Sequence, residues 1–446
     1  MNPARTTRPR SVTVLVALLL SAELLFAEQA APPDQRANPA VPPTAAAMPI
    51  DAVLQEAMER NLDLLAERYN LSVSDARMIT ARLRPNPVLS LGSIYLPLPG
   101  TNFQPSLSGV GPTEYNSRVD FLFERGGKRD SRMALAKADR EYAELALKNT
   151  LRSLIFSVQS AFVDVQIAKE NLQLASDNRR AFQAIVDINT ARVAAGDLAK
   201  VELSRIRIAA LQFQNAVQQA QLQLRQAQSR LQLLMGRRTP DAAFDVVGDL
   251  RRETLTQDLG QLSVLARQRR PDLRSLEAAQ ARSQADMRLQ IAQGKIDYTI
   301  GAQYSHQRVT PGTASSVSVF VSAPLPVFNR NQGEVARADR ESQQSAARLQ
   351  ALTSSIDTEV RSAFEQYRTN KDLLDNIEAN MLNQAGEVRR TTEYSYRRGE
   401  ASLVEFLDAQ RAFNDTMQSY NQARADYARS LYLIDSITGR LEGSSK

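Results

Sequence analysis

The sequence predicts a mainly α-helical chain with a transmembrane β part. Long helical hairpins, written twice, build a tube, and four strands contribute to a barrel shared with other copies of the chain. Three observations predict this. Two long stretches lack proline and hold almost no glycine, short runs elsewhere alternate apolar and polar residues, and the two halves of the chain repeat one another in order.

Residues 1–27 read as a secretory signal. Arg5, Arg8 and Arg10 precede an apolar run from Val12 to Leu20 that resumes through Leu24-Leu25-Phe26-Ala27. Glu23 interrupts the run and the following segment is polar, so cleavage near Ala27 is expected rather than a retained anchor. No cysteine lies at the cut, which excludes a lipid-modified N-terminus. Residues 28–49 form a Pro/Ala-rich, extended linker. No later stretch approaches the ~20 apolar residues of a spanning helix, so any membrane crossing must use strands.

Four strand candidates follow in two pairs, 88–96 with 117–124 and 297–305 with 316–322. Val119, Phe121 and Phe123 oppose Arg118, Asp120 and Glu124. Tyr298, Ile300, Ala302 and Tyr304 oppose Asp297, Thr299, Gly301 and Gln303. Val317, Val319 and Val321 oppose Ser316 and Ser318. One apolar and one polar face over ~9–11 residues suits a barrel wall between lipid and a wet lumen. The Gly/Ser/Pro/Thr-rich segments 98–114 and 306–315 are expected as exposed loops. Four strands cannot close, since membrane barrels start at ~8, so other copies must complete the wall. Periodicity leaves dimer and trimer open.

Each strand pair precedes a helical hairpin. Of 19 prolines, none falls between Thr113 and Thr239 or between Val327 and Lys446. Gly196 is the sole glycine between Ser131 and Met235, and Gly386 and Gly399 are the only ones between Glu334 and Thr438. The spacing predicts helix, turn, helix over about 131–236 and about 332–438. A helix from Ser131 to Ala195 would be ~98 Å long, more than a single globular core needs. Its return partner carries Leu203, Ile206, Ala210, Phe213, Val217, Ala220, Leu224, Ala227, Leu231 and Leu234 in unbroken steps of three and four. Phe406, Ala409, Phe413, Thr416, Tyr420, Ala423, Tyr427, Ser430, Ile434 and Ile437 repeat the pattern, the signature of a left-handed supercoil seam.

The duplication is legible in matched strings. Ala138-Asp139-Arg140-Glu141 recurs as Ala338-Asp339-Arg340-Glu341, Val201-Glu202 as Val404-Glu405, and Gly236-Arg237 as Gly439-Arg440. Ala57 to Leu64 parallels Ala266 to Leu273. The expected organisation is signal 1–27, linker 28–49, first repeat 50–240, second repeat 241–440 and a tail at 441–446.

Composition narrows the function. The chain has no Cys, no Trp and one His among 446 residues. Disulfides, thiolate catalysis and Cys-based metal sites are excluded, and a His-rich metal centre or a Ser-His-Asp triad is disfavoured. The net charge of +6 is dispersed, which does not point to nucleic acid. Gly126-Gly127-Lys128-Arg129 lacks the upstream glycine and following Ser/Thr of a phosphate loop and is expected to turn strand into helix. His306 is expected as a loop residue rather than a metal ligand. No enzyme constellation is present.

Several strings then resemble one family across nearly the whole chain after the signal: RNLDLLAERYNLSVSDARMITARLRPNP (60–87), FERGGKRDSRMALAKADREYAE (123–144), RVAAGDLAKVELSRIRIAALQ (192–212), APLPVFNRNQGEVARA (323–338) and YSYRRGEASLVEFLDAQRAF (394–413). They resemble the TolC-like outer-membrane efflux proteins, and GGKR resembles their heavy-metal cation efflux (CzcC-like) branch. The resemblance implies a homotrimer with a twelve-strand outer-membrane barrel and a periplasmic α-helical barrel. It implies a periplasmic membrane-fusion adaptor and an inner-membrane pump as partners, no cofactor, and a passive duct for heavy-metal cations. By the same resemblance, Gly196-Asp197-Leu198 and Gly399-Glu400-Ala401-Ser402-Leu403 are the adaptor-docking tips. Glu405 and Asp408 take the family's periplasmic gate positions, with Glu202 and Arg205 their first-half equivalents. Six carboxylates around one axis would favour cations, and their crowding would raise some pKa values. Arg205 is a candidate to latch the closed tube by pairing with an acid. A multidrug or type I secretion duct of the same fold, or a soluble periplasmic coiled-coil scaffold, are the competing readings.

Overall fold

A computed structural model describes residues 47–96, 99–100, 113–309 and 312–440. The signal segment, most of the linker, most of the 98–114 segment and the 441–446 tail lie outside the described residues. Among these, the order is helix α1 (Ile50–Arg60), helix α2 (Leu62–Arg82), strand β1 (Val88–Ile94), strand β2 (Glu114–Phe123), helix α3 (Lys128–Ala195), helix α4 (Lys200–Leu234), helix α5 (Leu259–Arg269), helix α6 (Pro271–Gln293), strand β3 (Tyr298–Val309), strand β4 (Gly312–Ser322), helix α7 (Gln332–Asn376), a π-helical turn (Ile377–Met381), helix α8 (Leu382–Arg398) and helix α9 (Leu403–Ile437).

Helix α3 has 68 residues, about 102 Å at ~1.5 Å each. No breaker occurs before Gly196, whose φ of 87° ends it. It packs along α4 and α6 and, across the hairpins, against α9. All ten predicted seam positions of α4 are buried or half-buried, and so are all ten of α9. The periodicity therefore identified the packed faces of both return helices.

The duplication is visible in the packing. Val53, Ala57 and Leu64 of α1 and α2 enter one core with Leu231 of α4. Their counterparts Leu262, Ala266 and Leu273 enter a second core with Ile434 of α9. Gly236 and Gly439 both have positive φ, 78° and 70°. A Cβ on Gly236 would lie 2.2 Å from the Arg60 carbonyl oxygen, and one on Gly439 would lie 2.9 Å from that of Arg269. Arg60 and Arg269 are themselves matched positions. The sequence reading did not foresee helices at α1, α2, α5 and α6, whose short amphipathic segments lack the long breaker-free pattern.

The predicted second hairpin differs in its first arm. Buried or half-buried positions of α7 run 356, 360, 363, 367, 370, 374, 377 in unbroken heptad steps. Continued, they would reach Met381 and Val388, which are exposed. The inward positions beyond the π turn are instead 382, 385, 389, 392 and 396. One extra residue in the repeat is thus absorbed by the widened turn, which returns Tyr396 to the inner face.

The strands are antiparallel in the order β1-β2-β3-β4. Their bounds shift from expectation. Strand β1 stops at Ile94, before Tyr95 at φ 55°, and β2 starts three residues early, at Glu114. The expected loop at 306–315 is corrected: β3 runs to Val309 and β4 starts at Gly312, pairing His306 with Ser315, Gln307 with Ala314 and Arg308 with Thr313, and within that stretch only 310–311 lie outside the described residues. Polar composition suggested a loop, but polar residues satisfy a ladder equally well once the strand leaves the apolar band. His306 accordingly lies within β3, its Nδ1 3.1 Å from the Ser315 hydroxyl.

Gly126 and Gly127, at φ 73° and 70°, turn β2 into α3. Lys128, largely buried at the head of α3, donates to Asp297 at 2.6 Å and to the Lys295 carbonyl at 2.8 Å. It thereby ties the β2–α3 junction to the α6–β3 junction. Gly126 leaves space there, because its Cβ would lie 2.8 Å from that of Lys295.

Candidate functional site

The sheet separates two chemistries. Strand registers place Leu89 and Leu91 of β1, Tyr115, Val119, Phe121 and Phe123 of β2, Tyr298, Ile300, Ala302 and Tyr304 of β3, and Val317, Val319 and Val321 of β4 on one face. Val317, Val319 and Val321 are 74%, 71% and 70% exposed. Phe123 and Tyr298 pair at the end near the helices, while Tyr115 and Tyr304 lie toward the other. At ~3.3 Å per residue and ~40° tilt, Tyr115 and Phe123 are ~20 Å apart along the strand-bundle axis, near the ~25 Å apolar band of a membrane barrel with its aromatic girdles. The opposite face carries Ser90, Asn116, Arg118, Asp120, Gln303, Ser305, Ser316 and Ser318. Among the described residues, the outer edges of β1 and β4 have no partner strand.

The hairpin ends form two matched caps. The Asp197 amide donates to the Arg192 carbonyl at 2.8 Å, and the Glu400 amide to that of Ser395 at 2.8 Å. Both reversals rely on a left-handed glycine, Gly196 or Gly399. Leu198, Ala401 and Leu403 tuck into an apolar cluster with Phe182, Ile206, Tyr396 and Phe406. The two tips are therefore held as one unit, leaving Gly196, Asp197, Gly399, Glu400 and Ser402 exposed. Val201 and Val404, at matched positions, stand 64% and 66% exposed beside them.

The four acid-and-base positions lie in the first turns of α4 and α9. Glu202 accepts a hydrogen bond from Arg205 at 2.7 Å on its own helix. Within one chain Arg205 is thus engaged on its own helix. Asp408 faces Arg411 at 3.5 Å and is well exposed. Glu405 closes a capping box: the Ser402 amide donates to its carboxylate at 2.7 Å and the Ser402 hydroxyl at 2.9 Å. These bonds, the amide foremost, hold its pKa below the ordinary carboxylate value within a single chain. Among the described residues no cluster of three His, Cys, Asp or Glu could hold a metal, and no helix is long and apolar enough to cross a membrane.

Residues 53–237 and 262–440 match the profile of the outer membrane efflux protein family. The chain belongs to the outer membrane efflux protein family. It is 23% identical over 404 residues to the cobalt-zinc-cadmium resistance protein CzcC of Cupriavidus metallidurans, covering 88% of this chain and 90% of that one. It is 25% identical over 331 residues to the pyoverdine export outer membrane protein OpmQ of Pseudomonas putida, covering 70% and 65%. The fold superimposes on the CmeC outer membrane channel of Campylobacter jejuni with a TM-score of 0.74 at 15% identity, covering 89% and 87%.

In this efflux-family chain, residue reading missed Val201 and Val404 as exposed tip residues, although both recur in the matched strings. Their place two residues ahead of the first seam positions, Leu203 and Phe406, was the available signal. It also missed a groove of about 940 Å³ between α3, α4 and α9, lined in part by Asp164, Asn171, Gln219, Gln223, Gln422 and Asp426. The glutamine-rich outer flank of α4 foreshadows it.

Proposed function

We propose that the chain is the outer-membrane channel component of a tripartite efflux system, a passive duct that performs no chemistry. Three copies close a twelve-strand barrel in the outer membrane and continue it as a helical tube through the periplasm. The observation that carries this reading is the four-stranded sheet with one apolar and one polar face and, among the described residues, two unpaired edges. An open edge in hydrocarbon leaves backbone groups unsatisfied, so closure with further copies is required. The division into signal 1–27, linker 28–49, repeats 50–240 and 241–440 and tail 441–446 follows from the same reading.

The tips at Gly196–Leu198 and Gly399–Leu403 dock the periplasmic adaptor, with Val201 and Val404 as apolar contacts, and the inner-membrane pump supplies the energy. Glu405 and Asp408, with Glu202 and Arg205, line the periplasmic gate. Likeness to CzcC over nearly the full length supports heavy-metal cations as cargo. Likeness to OpmQ supports the second reading, a duct for organic cargo. A deletion strain hypersensitive to cobalt, zinc and cadmium salts but not to dyes and antibiotics selects the first, and the reverse pattern selects the second. Val201→Asp with Val404→Asp is expected to abolish resistance while assembled trimers persist in the outer membrane. Full resistance in that variant would remove the docking assignment, and a soluble periplasmic location would remove the duct.

A further inference from the structure

The polar face of the sheet holds a built cluster that neither the gate nor the tips account for. Arg118 of β2 donates to one Asp120 carboxylate oxygen from Nε at 2.9 Å and from its terminal nitrogen at 2.8 Å. The same guanidinium lies over the Phe320 ring of β4, 4.5 Å from its centroid. Asp120, Gly301 and Phe320 are register partners across β2, β3 and β4. Gly301 therefore stands between the acid and the ring. Its φ is not positive, so the backbone does not demand glycine. Space does: a Cβ there would lie 2.1 Å from the Asp120 oxygen and 3.1 Å from Arg118 Nε. Glycine inside a strand weakens it and marks a close approach. Here the approaching groups are the two charges, which lie flat over β3.

We propose that Arg118, Asp120, Gly301 and Phe320 form a charge-compensated selectivity ring in the barrel lumen, in which Arg118 keeps Asp120 from trapping passing cations. The inference rests on the reading that three chains close a barrel with this face inward. Twelve strands ~4.8 Å apart and tilted ~40° give a backbone radius of about 12 Å. Every ion on the axis then passes within about 12 Å of three copies of the pair. Arg118 is held on one side by the carboxylate and on the other by the aromatic face. The net charge of the ring is zero, and the missing Gly301 side chain keeps it against the wall.

The test is ion selectivity of purified trimers in planar bilayers under a potassium chloride gradient, with cobalt chloride as the blocking probe. Arg118→Gln leaves three unpaired carboxylates. At about 0.01 M salt, where the Debye length is ~30 Å, three charges at that radius concentrate a monovalent cation on the axis roughly threefold and a divalent one roughly tenfold. Permeability therefore shifts toward cations, and cobalt block strengthens by a similar factor. Asp120→Asn shifts permeability toward anions, and it carries the test alone if Arg118→Gln does not assemble. The double variant Arg118→Gln with Asp120→Asn returns to wild-type selectivity, which loss of a purely structural bond does not predict. Conducting single variants with wild-type selectivity and block overturn the ring. Wild-type protein that forms neither trimers nor channels overturns the duct reading instead, so the two failures are distinct.

Discussion

Gly236 and Gly196 both occupy left-handed backbone, yet they face different neighbourhoods. A side chain on Gly196 meets nothing within 4 Å, whereas one on Gly236 strikes the Arg60 carbonyl. Gly196→Ala is expected to cost about 1 kcal/mol, the backbone penalty alone, and Gly236→Ala roughly 3 kcal/mol, because the α1–α2 joint must also move. Thermal unfolding of the two variants in detergent checks the order, and equal losses would contradict the packing described. At the second tip, Glu405 has two duties, a cap and a charge. Glu405→Gln keeps an acceptor for the Ser402 amide and removes the charge, while Ser402→Ala removes the cap at a cost of about 1 kcal/mol and keeps the charge. If the gate assignment holds, single-channel block by multivalent cations weakens in Glu405→Gln and stays unchanged in Ser402→Ala. The spacing Ser402-x-x-Glu405 carries the capping box, although the sequence reading took the two residues only as tip and gate. The charged pair over Gly301 was not, since a glycine's role as empty space appears only when three strands are in register.

Elements behave as units with faces. Val319 and Ser318 are chain neighbours on opposite sides of β4, so Val319→Arg should cost ~2–4 kcal/mol near the membrane midplane while Ser318→Arg is tolerated. Heat stability of the assembled protein in lipid reads the difference, and equal tolerance would deny that the apolar face meets lipid. The π turn at 377–381 carries a complementary prediction. Deleting exposed Ala379 restores a regular helix and keeps the inward stripe aligned, so stability changes by less than about 1 kcal/mol. Deleting Arg361, inside the unbroken heptads of α7, misaligns everything beyond it and should prevent folding. The α5–α6 joint adds a pH dependence. Burial pushes the Asp272 carboxyl up, but the Arg270 hydrogen bond with the charges of Arg152 and Arg270 outweighs it, and the pKa is lowered from 3.8. Such a group stabilises above its ordinary value, and the contribution is lost as pH falls through the lower folded value. Asp272→Asn should therefore be less stable at neutral pH and show a shallower loss below about pH 4. Long helices were legible because proline and glycine are absent and the seams are regular. The π turn was not, because a one-residue slip in a heptad becomes visible only when burial shows which side of Met381 the stripe resumes.

The whole molecule is an incomplete object as a single chain. Its sheet has an exposed apolar face and, among the described residues, two edges without a partner strand, and its return helices expose Val201 and Val404 at the tips. The duplication explains the economy of the design: one strand-pair-plus-hairpin plan, used twice, supplies all four strands and both long hairpins. The sequence carried that plan through matched strings such as Gly236-Arg237 and Gly439-Arg440, and it carried the need for partners through strand number. It did not carry the number of copies, because alternation is the same in any barrel. Closure can be measured directly, since the chain contains no cysteine to interfere. One cysteine scanned along Val88–Ile94 of β1, combined with one in Gly312–Ser322 of β4, should form disulfides between chains in native outer membranes at the registers where the two edges meet. The account predicts a covalent, heat-resistant species that stops at the trimer. Chains that never cross-link in the membrane, or that stop at the dimer, would contradict it.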